Sequence, residues 1–196
     1  QSSELTGLAE SQLASQDIAM RREAAFAYGQ LPQVSPQPLF DRLTVEQDPT
    51  VRQVLVEAVG KIGDLGFVGP LEKLLLDPDG GTRSRALISM ALIARREKGV
   101  LPGFEISKIT QYLSDTVWSV RFGVAYLMLR LKDTGKAALY AVTECTKDQD
   151  PIIRSTCTSA IGRFGAAGKA IRDRMAQDGD WRVRVSAMQA HRKAKD

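Results

Sequence analysis

The sequence predicts an all-α fold, a right-handed α-α superhelix in which pairs of antiparallel helices stack on one another. The first observation is a series of arginines at intervals of 31, 31, 38, 33 and 30 residues, namely Arg21, Arg52, Arg83, Arg121, Arg154 and Arg184. The second is the apolar pattern around each arginine, which has the period of a helix. No segment shows the sustained alternation of a β-strand. Repeats of roughly 30 to 40 residues are typical of stacked helix pairs.

The apolar positions around each arginine lie on one face of a helix. They stand one residue before the arginine and three, six and ten residues after it, as with Val51, Leu55, Ala58 and Ile62 around Arg52. The residue six positions after the arginine is often alanine, which lets a neighbouring helix pack closely. We therefore expect this face to form the core.

Each of these helices begins and ends at a recognisable signal. Five of the six units carry an aspartate four residues before the arginine, namely Asp17, Asp48, Asp79, Asp150 and Asp180. A carboxylate there caps the first turn and interacts favourably with the helix dipole. After each helix a break such as Gly63-Asp64 leads into a second apolar helical segment. Each unit is thus predicted to be a helix, a short turn and a second helix.

The repeats together form a single predicted domain, residues 1–196. It comprises a lone helix at 4–14, repeats at about 17–47, 48–78, 79–116, 117–149 and 150–179, and a terminal half-repeat at 180–196. The last helix has several polar residues, including His191 where four of the five earlier units have an apolar residue. A polar outer face is what the terminal unit of a repeat array needs. We expect no catalysis at His191, for which the sequence shows no partner.

The pattern D-x-x-V-R-x-x-A with a G-x-x-G end resembles the HEAT repeats of the phycobilisome-lyase-like class. The best copies run from Asp48 to Asp64 and from Asp150 to Gly165, and the resemblance covers about residues 15–193. It implies an armadillo-like HEAT-repeat solenoid. It also implies that the recurring arginines and aspartates tie adjacent repeats together as a structural ladder rather than bind a ligand.

Composition restricts the function. Lys and Arg number 27 against 23 Asp and Glu, a net charge of +4, which is weak for a nucleic-acid-binding protein. The single histidine argues against zinc sites built from several histidines. We expect no metal, no cofactor and no insertion into a membrane. No apolar run approaches the roughly 20 residues of a membrane span, so we expect a soluble protein of unknown compartment, cytoplasmic or exported with its signal removed.

The two cysteines, Cys145 and Cys157, fall at small apolar positions on facing helices. Buried free cysteines behave as small apolar residues, and we predict inert thiols here. A disulfide in an oxidising compartment is the alternative.

The region from residue 95 to residue 118 departs from the repeat pattern. The third unit is longer than its predecessor, and its predicted inter-helix loop, 95–103, is basic, with Arg95, Arg96 and Lys98. The fourth unit then has Val117 in place of the capping aspartate and gains Trp118. Because local rules fail most often at functional or strained sites, we predict binding residues here. A basic loop beside an aromatic residue suits an acidic peptide or a nucleic-acid backbone.

The second helices are expected to line the concave surface. Their residues outside the core include Lys108, Gln111 and Tyr140, which we add to the candidate binding residues. This mixed surface suits a protein or peptide partner and lacks the dense Lys and Arg of a phosphate-binding surface.

The favoured function is a non-enzymatic scaffold or adaptor that binds a protein or peptide through its concave face and residues 95–118. The resemblance also implies a first alternative, a subunit of a bilin lyase or another chromophore-handling complex. A second alternative is a HEAT-like alkylpurine DNA glycosylase, because residues 114–121 resemble the Trp-x-x-Arg segment of those enzymes. Trp118, Arg121 and Trp181 would match it, but no nearby carboxylate is evident at Val117.

Overall fold

The computed structural model describes residues 2–194, so residues 1, 195 and 196 of the predicted array lie outside it. Twelve α-helices occur in the described range: α1 Ser2–Gln12, α2 Ile18–Tyr28, α3 Gln37–Val45, α4 Pro49–Ile62, α5 Val68–Lys73, α6 Gly80–Arg96, α7 Ser107–Thr110, α8 Trp118–Arg130, α9 Lys136–Cys145, α10 Pro151–Ile161, α11 Lys169–Met175 and α12 Trp181–Lys193. Short 3-10 helices span Leu65–Phe67, Leu74–Leu76, Gln111–Ser114 and Gly162–Gly168. Within residues 2–194 there is no β-strand, and the predicted fold class is confirmed.

The chain forms two compact units, one ending at Ile93 and the other beginning at Ala94. In the first unit, α2 packs against α1 and α4, and α3 packs against α4. In the second unit, α10 packs against α8, α9, α11 and α12, and α7 contacts α9. In both units, the face identified from the sequence is buried: Val51, Leu55, Val120 and Val124 have no exposed surface.

The aspartates four residues before the arginines cap the helices. Asp17, Asp48 and Asp150 each accept two backbone N–H groups of the following first turn. Asp79 accepts the N–H of Thr82 at 2.7 Å, and Asp180 accepts the N–H of Arg182 at 2.9 Å. These carboxylates therefore satisfy donors that would otherwise lack a partner at each helix start.

The recurring arginines bind a second series of acids. Arg21 donates to Glu46, Arg52 to Asp77, Arg121 to Asp148 and Arg154 to Asp178. Each acid stands six residues before the next arginine of the series and two before the next capping position. Of the two other arginines, Arg83 donates to the carbonyls of Asp77 and Pro78, and Arg184 to those of Asp178 and Gly179. The pairs join the first helix of one repeat to the residues that precede the first helix of the next.

First helices approach closely where small residues face one another. In the first unit, a Cβ atom added to Gly60 on α4 would lie 2.5 Å from Cβ of Ser89 on α6. The Ser89 hydroxyl donates to the carbonyl of Val56 at 2.9 Å. A side chain larger than hydrogen at position 60 would force the two helices apart.

The predicted basic loop is shorter than the sequence indicated, because Arg95 and Arg96 form the last turn of α6. The helix ends where Lys98 and Gly99 take left-handed backbone angles, with φ of 54° and 88°. The N–H of Gly99 donates to the carbonyl of Ala94 at 2.7 Å and closes the helix end. Two arginines in a last turn also interact favourably with the helix dipole.

The prediction of inert thiols is wrong, because Cys145 and Cys157 form a disulfide. Their Cα atoms lie 5.9 Å apart, near the distance most common for disulfides. Cys145 ends α9 and Cys157 lies within α10, and both are buried. The sequence placed them on facing helices but contained no information on the distance between them.

His191 does have a neighbour, contrary to the expectation from the sequence. Its Nε2 lies 3.4 Å from Oδ1 of Asp173 on α11. Both side chains are partly exposed, so the contact lies on the protein surface.

Candidate binding groove on the second helices

A solvent-open groove lies in the second unit, between α9 on one side and the end of α7 with the 3-10 helix Gln111–Ser114 on the other. Its lining consists of Thr110, Leu113, Ser114, Tyr140, Glu144, Cys145, Lys147 and Asp148. Its volume of about 250 Å³ is smaller than the roughly 300–1,000 Å³ typical of small-molecule sites. The groove therefore suits one or two side chains of a larger ligand.

The apolar surface of the groove comes mainly from Tyr140, whose side chain is 60% exposed, and from the half-buried Leu113. The hydroxyl groups of Thr110 and Ser114 lie on the opposite wall. The Thr110 hydroxyl donates to the carbonyl of Ile106 at 3.1 Å, so its oxygen can still accept a hydrogen bond. The groove thus combines one aromatic surface with a few polar groups.

The charges in the groove are balanced. Asp148 accepts Nε of Arg121 and the backbone N–H of Asp150, both at 2.8 Å, so the fold itself uses this carboxylate. Glu144 accepts Nζ of Lys147 at 2.6 Å in a partly exposed ion pair. The groove therefore has no excess of one charge with which to attract a highly charged ligand.

The α9 wall is held in place at its C-terminal end. The disulfide of Cys145 joins it to α10. The next residue, Thr146, is 2% exposed, and its hydroxyl accepts Nη2 of Arg174 at 2.9 Å. These links fix the helix that presents Tyr140, and a preorganised surface binds with less entropic cost.

Residues 7–91 match the family model for HEAT repeats, so this part of the chain is similar to HEAT repeats. No curated protein matches the chain at a significant level.

Several of the solved structures that resemble this chain are engineered proteins. One engineered protein has a TM-score of 0.73 at 16% identity, with 98% of each chain covered. Another has a TM-score of 0.71 at 17% identity, with 97% of this chain and 96% of that chain covered. A designed armadillo repeat protein has a TM-score of 0.68 at 16% identity, with 96% of this chain and 99% of that chain covered. These likenesses show the fold.

A weaker match is the complex of CpcE and CpcF of phycocyanin lyase from Nostoc. It has a TM-score of 0.49 at 18% identity, with 97% of this chain and 88% of that chain covered. A likeness of this size does not support an argument about function.

Of the seven candidate binding residues, the structure places three at or beside the groove. Tyr140 lines it, while Lys108 and Gln111 lie on the two short helices of the opposite wall. Both are exposed, and the Gln111 side-chain amide donates to the carbonyl of Lys108 at 3.2 Å. The lining residues that were not among the candidates are Thr110, Leu113, Ser114, Glu144, Cys145, Lys147 and Asp148. Continuing the helical spacing from Tyr140 and Gln111 would have found them, since each lies three or four residues from Tyr140, from Gln111 or from another member of the set.

The other four candidates do not line the groove. Trp118 begins α8 and stacks on Phe122, with ring centroids 5.3 Å apart and planes within 7°. The row continues from Phe122 to Tyr126, and the Arg130 guanidinium lies 4.7 Å from the Tyr126 ring centre. Arg95 and Arg96 end α6, and Lys98 follows in the loop; all three are exposed.

The fold already uses the arginine that matched the glycosylase segment. Arg121 is 8% exposed and donates to the carboxylate of Asp148 and the carbonyl of Asp115.

Across residues 2–194, no group of three or more His, Cys, Asp or Glu side chains is arranged to hold a metal ion. None of the helices in this range is both long and apolar enough for a membrane span.

Proposed function

We propose that this chain is a non-enzymatic HEAT-repeat scaffold that binds an extended segment of a partner protein in the groove beside α9. The observation that carries the proposal is Tyr140, a large side chain that is 60% exposed on a helix fixed at its end by a disulfide. Exposed tyrosines are frequent anchors at protein interfaces, because they offer a rigid apolar ring and a polar tip.

The groove indicates the chemistry of the bound segment. An apolar or aromatic side chain fits against Tyr140 and Leu113, within the volume of about 250 Å³. The hydroxyls of Thr110 and Ser114 can bind main-chain groups on either side of it. The ligand is then a mixed polar and apolar peptide of low net charge, matching the balanced ion pair of Glu144 and Lys147.

The same features favour a peptide over a nucleic acid. Affinity for a phosphate backbone comes from several Lys and Arg side chains acting together. The groove lining contains one lysine, Lys147, and that lysine is paired. Arg121 is occupied by Asp148, which removes support for the glycosylase alternative. The bilin-lyase alternative rests on the resemblance of the repeat motif alone.

Arg95, Arg96 and Lys98, at and just after the end of α6, form a second candidate surface of the same scaffold. Their exposed basic side chains would suit an acidic segment of the partner. Trp118 lies apart from them, because Gly99 accepts the N–H of Lys132 beyond the C-terminal end of α8, whereas Trp118 begins that helix. Trp118 is 41% exposed and stacked on Phe122, so it provides a flat apolar surface.

A peptide-display selection tests the proposal. A library of random 12- to 16-residue peptides would be selected on the wild-type chain and the survivors counted again on Tyr140→Ala. Trp118→Ala is the matched control, since it also removes an exposed aromatic residue but lies outside the groove. We expect a shared apolar position among the selected peptides, retention by Trp118→Ala, and loss of about tenfold or more in affinity on Tyr140→Ala.

Two results would count against the groove. Peptides that bind wild type and Tyr140→Ala equally would place the site elsewhere, and loss on Trp118→Ala alone would place it at the start of α8. If no peptide is enriched in repeated selections, while labelled single-stranded DNA or a bilin binds, the scaffold proposal itself is wrong.

A further inference from the structure

The connection between α6 and α7 is longer than its counterpart in the next repeat. Helix α6 ends at Arg96 and α7 begins at Ser107, so residues 97–106 connect them. The equivalent connection between α8 and α9 consists of residues 131–135 alone. A connection that is longer than the fold requires is often one that carries a function.

This longer connection forms a cavity against the end of α8. Five of the lining residues belong to the connection, among them Leu101, Phe104 and Ile106, and the others are Leu131, Lys132 and Asp133, directly after α8. The volume of about 330 Å³ lies within the range of small-molecule sites, roughly 300–1,000 Å³. The cavity is therefore large enough to hold a small organic ligand.

Most of the cavity lining is apolar. Leu101, Ile106 and Leu131 are buried, and Phe104 is half-buried. Val100 also lines the cavity and is 56% exposed, so it lies where the cavity opens to solvent. Because covering apolar surface is favourable, this lining suits a ligand with a hydrocarbon body.

Two lysines lie on one rim of the cavity, because the backbone joins the segments that carry them. The carbonyl of Gly99 accepts the N–H of Lys132 at 2.9 Å. A Cβ atom added to Gly99 would lie 2.6 Å from Cγ of Lys132, so glycine is needed for the lysine side chain to pass here. Lys98 stands directly before Gly99, and the side chains of Lys98 and Lys132 are both exposed.

The fold does not neutralise these two lysines. Across residues 2–194, neither ammonium group forms an ion pair with a carboxylate. Asp133, the acid of the lining, accepts the N–H of Gly135 at 2.7 Å through its own carboxylate. Residues 95–106 and 130–136 together contain six Lys and Arg against three Asp and Glu, a net charge of +3, whereas the whole chain has +4. The rim therefore complements an anion.

The negative end of the α8 dipole is offset by an arginine. Arg163 donates to the carbonyl of Met128 at 2.7 Å and to that of Asp133 at 2.9 Å. A cation at the last carbonyls of a helix compensates their partial negative charge. The end of α8 therefore does not cancel the positive charge of the rim.

We propose that this cavity binds a small amphipathic carboxylate. Its hydrocarbon body lies against Leu101, Phe104 and Ile106, and its carboxylate lies at Lys98 and Lys132. A small molecule can cover the buried lining as well as the charged rim, whereas an acidic peptide segment would contact mainly the rim. The site goes beyond the peptide groove beside α9, with which it shares no lining residue.

Calorimetric titration with octanoate tests the proposal. We expect one octanoate per chain, with a Kd below about 1 mM. Octanamide has the same hydrocarbon body without the charge, and it should bind about tenfold more weakly. Octylammonium, which has the opposite charge, should not bind. A peptide rich in glutamate should bind more weakly than octanoate.

Two variants at exposed positions locate the site. Lys132→Gln removes a charge from the rim and should weaken octanoate binding about threefold or more. Val100→Asp places an acid where the cavity opens and should weaken binding about tenfold or more. Lys169→Gln is the matched control, since Lys169 is an exposed lysine of the same unit outside the cavity, and it should bind as wild type does. Circular dichroism should show the same helical content for all four proteins.

Several results would overturn the proposal. One is wild type that binds no octanoate up to about 1 mM, and another is equal binding of octanoate and octanamide. Unchanged affinity in both Lys132→Gln and Val100→Asp would also overturn it. A glutamate-rich peptide that binds where octanoate does not would assign the lysines to an acidic segment of a partner instead.

Discussion

Arg21 and Glu46 form a two-point ion pair that links successive repeats. Nε and Nη2 of Arg21 donate to the two carboxylate oxygens of Glu46 at 2.8 and 3.0 Å. Oε1 of Glu46 also accepts the N–H of Asp48, the residue that caps α4, at 3.0 Å. The acid therefore joins the arginine of one repeat to the start of the first helix of the next.

The first prediction concerns this pair. Replacing Glu46 by glutamine keeps its shape but removes the charge that satisfies Arg21 and Arg42. Since hydrogen bonds to charged groups contribute about 1.5–3 kcal/mol each, we expect Glu46→Gln to lower the free energy of unfolding by about 2 kcal/mol. Urea denaturation of the two proteins would measure the difference. A control is Glu23→Gln, an exposed acid whose nearest basic group lies 3.8 Å away, and it should change stability little.

The second prediction is a pH dependence. Burial raises the pKa of Glu46, but hydrogen bonds from Arg21, from the Asp48 amide and from Arg42 outweigh it and lower the pKa from 4.5 to about 2. A carboxyl group with a lower pKa in the folded state stabilises the fold above its unfolded pKa, and this stabilisation disappears as the pH falls through the folded pKa. Wild type should therefore lose stability between about pH 4.5 and pH 2. Glu46→Gln should lose less over the same interval, and equal losses would show that Glu46 does not contribute.

The third prediction concerns the disulfide of Cys145 and Cys157. Closing a loop of twelve residues restricts the unfolded chain, which corresponds to about 3 kcal/mol of stability. Reduction should lower the denaturation midpoint of wild type by a corresponding amount. The double variant Cys145→Ala, Cys157→Ala should show the lower stability with or without reductant. Two thiols titrated in denatured, unreduced protein would contradict the disulfide.

The fourth prediction distinguishes helix packing from helix propensity. Gly60→Ala adds a Cβ atom 2.5 Å from that of Ser89, so we expect a loss of about 1–3 kcal/mol, although alanine is the better helix former. Gly7→Ala on α1 is the control, because no atom outside its chain neighbours and the backbone of its own helix lies within 4 Å of the added Cβ. That variant should be unchanged or more stable by up to about 1 kcal/mol. Thermal unfolding of both variants would decide whether close contact or propensity dominates.

Much of the fold could be predicted because helix caps and buried apolar residues recur at the same positions of successive repeats. The Asp caps and the buried positions around the arginines follow from local spacing alone. The acids that pair with the arginines also had a sequence signal, the acid two residues before each capping position, as in Glu46-Gln-Asp48 and Asp148-Gln-Asp150. That signal was missed because the capping aspartates offered a simpler partner for the same arginines.

The groove could be predicted only in part. Tyr140, Lys108 and Gln111 are found from the expectation that second helices line one surface, but the distance between α9 and Gln111–Ser114 depends on tertiary packing. The extension of α6 through Arg95 and Arg96 depends on the left-handed turn at Lys98 and Gly99, which the sequence does not specify. The disulfide could not be predicted either, because the spacing of Cys145 and Cys157 along the chain does not give the distance between them in the fold.

The central claim is that the groove beside α9 binds a peptide through Tyr140. The most direct measurement is calorimetric titration of one selected peptide into wild type, Tyr140→Ala and Trp118→Ala. We expect one peptide per chain for wild type, unchanged affinity for Trp118→Ala, and affinity weaker by about tenfold or more for Tyr140→Ala. Equal affinities for wild type and Tyr140→Ala, with both proteins folded, would contradict the claim.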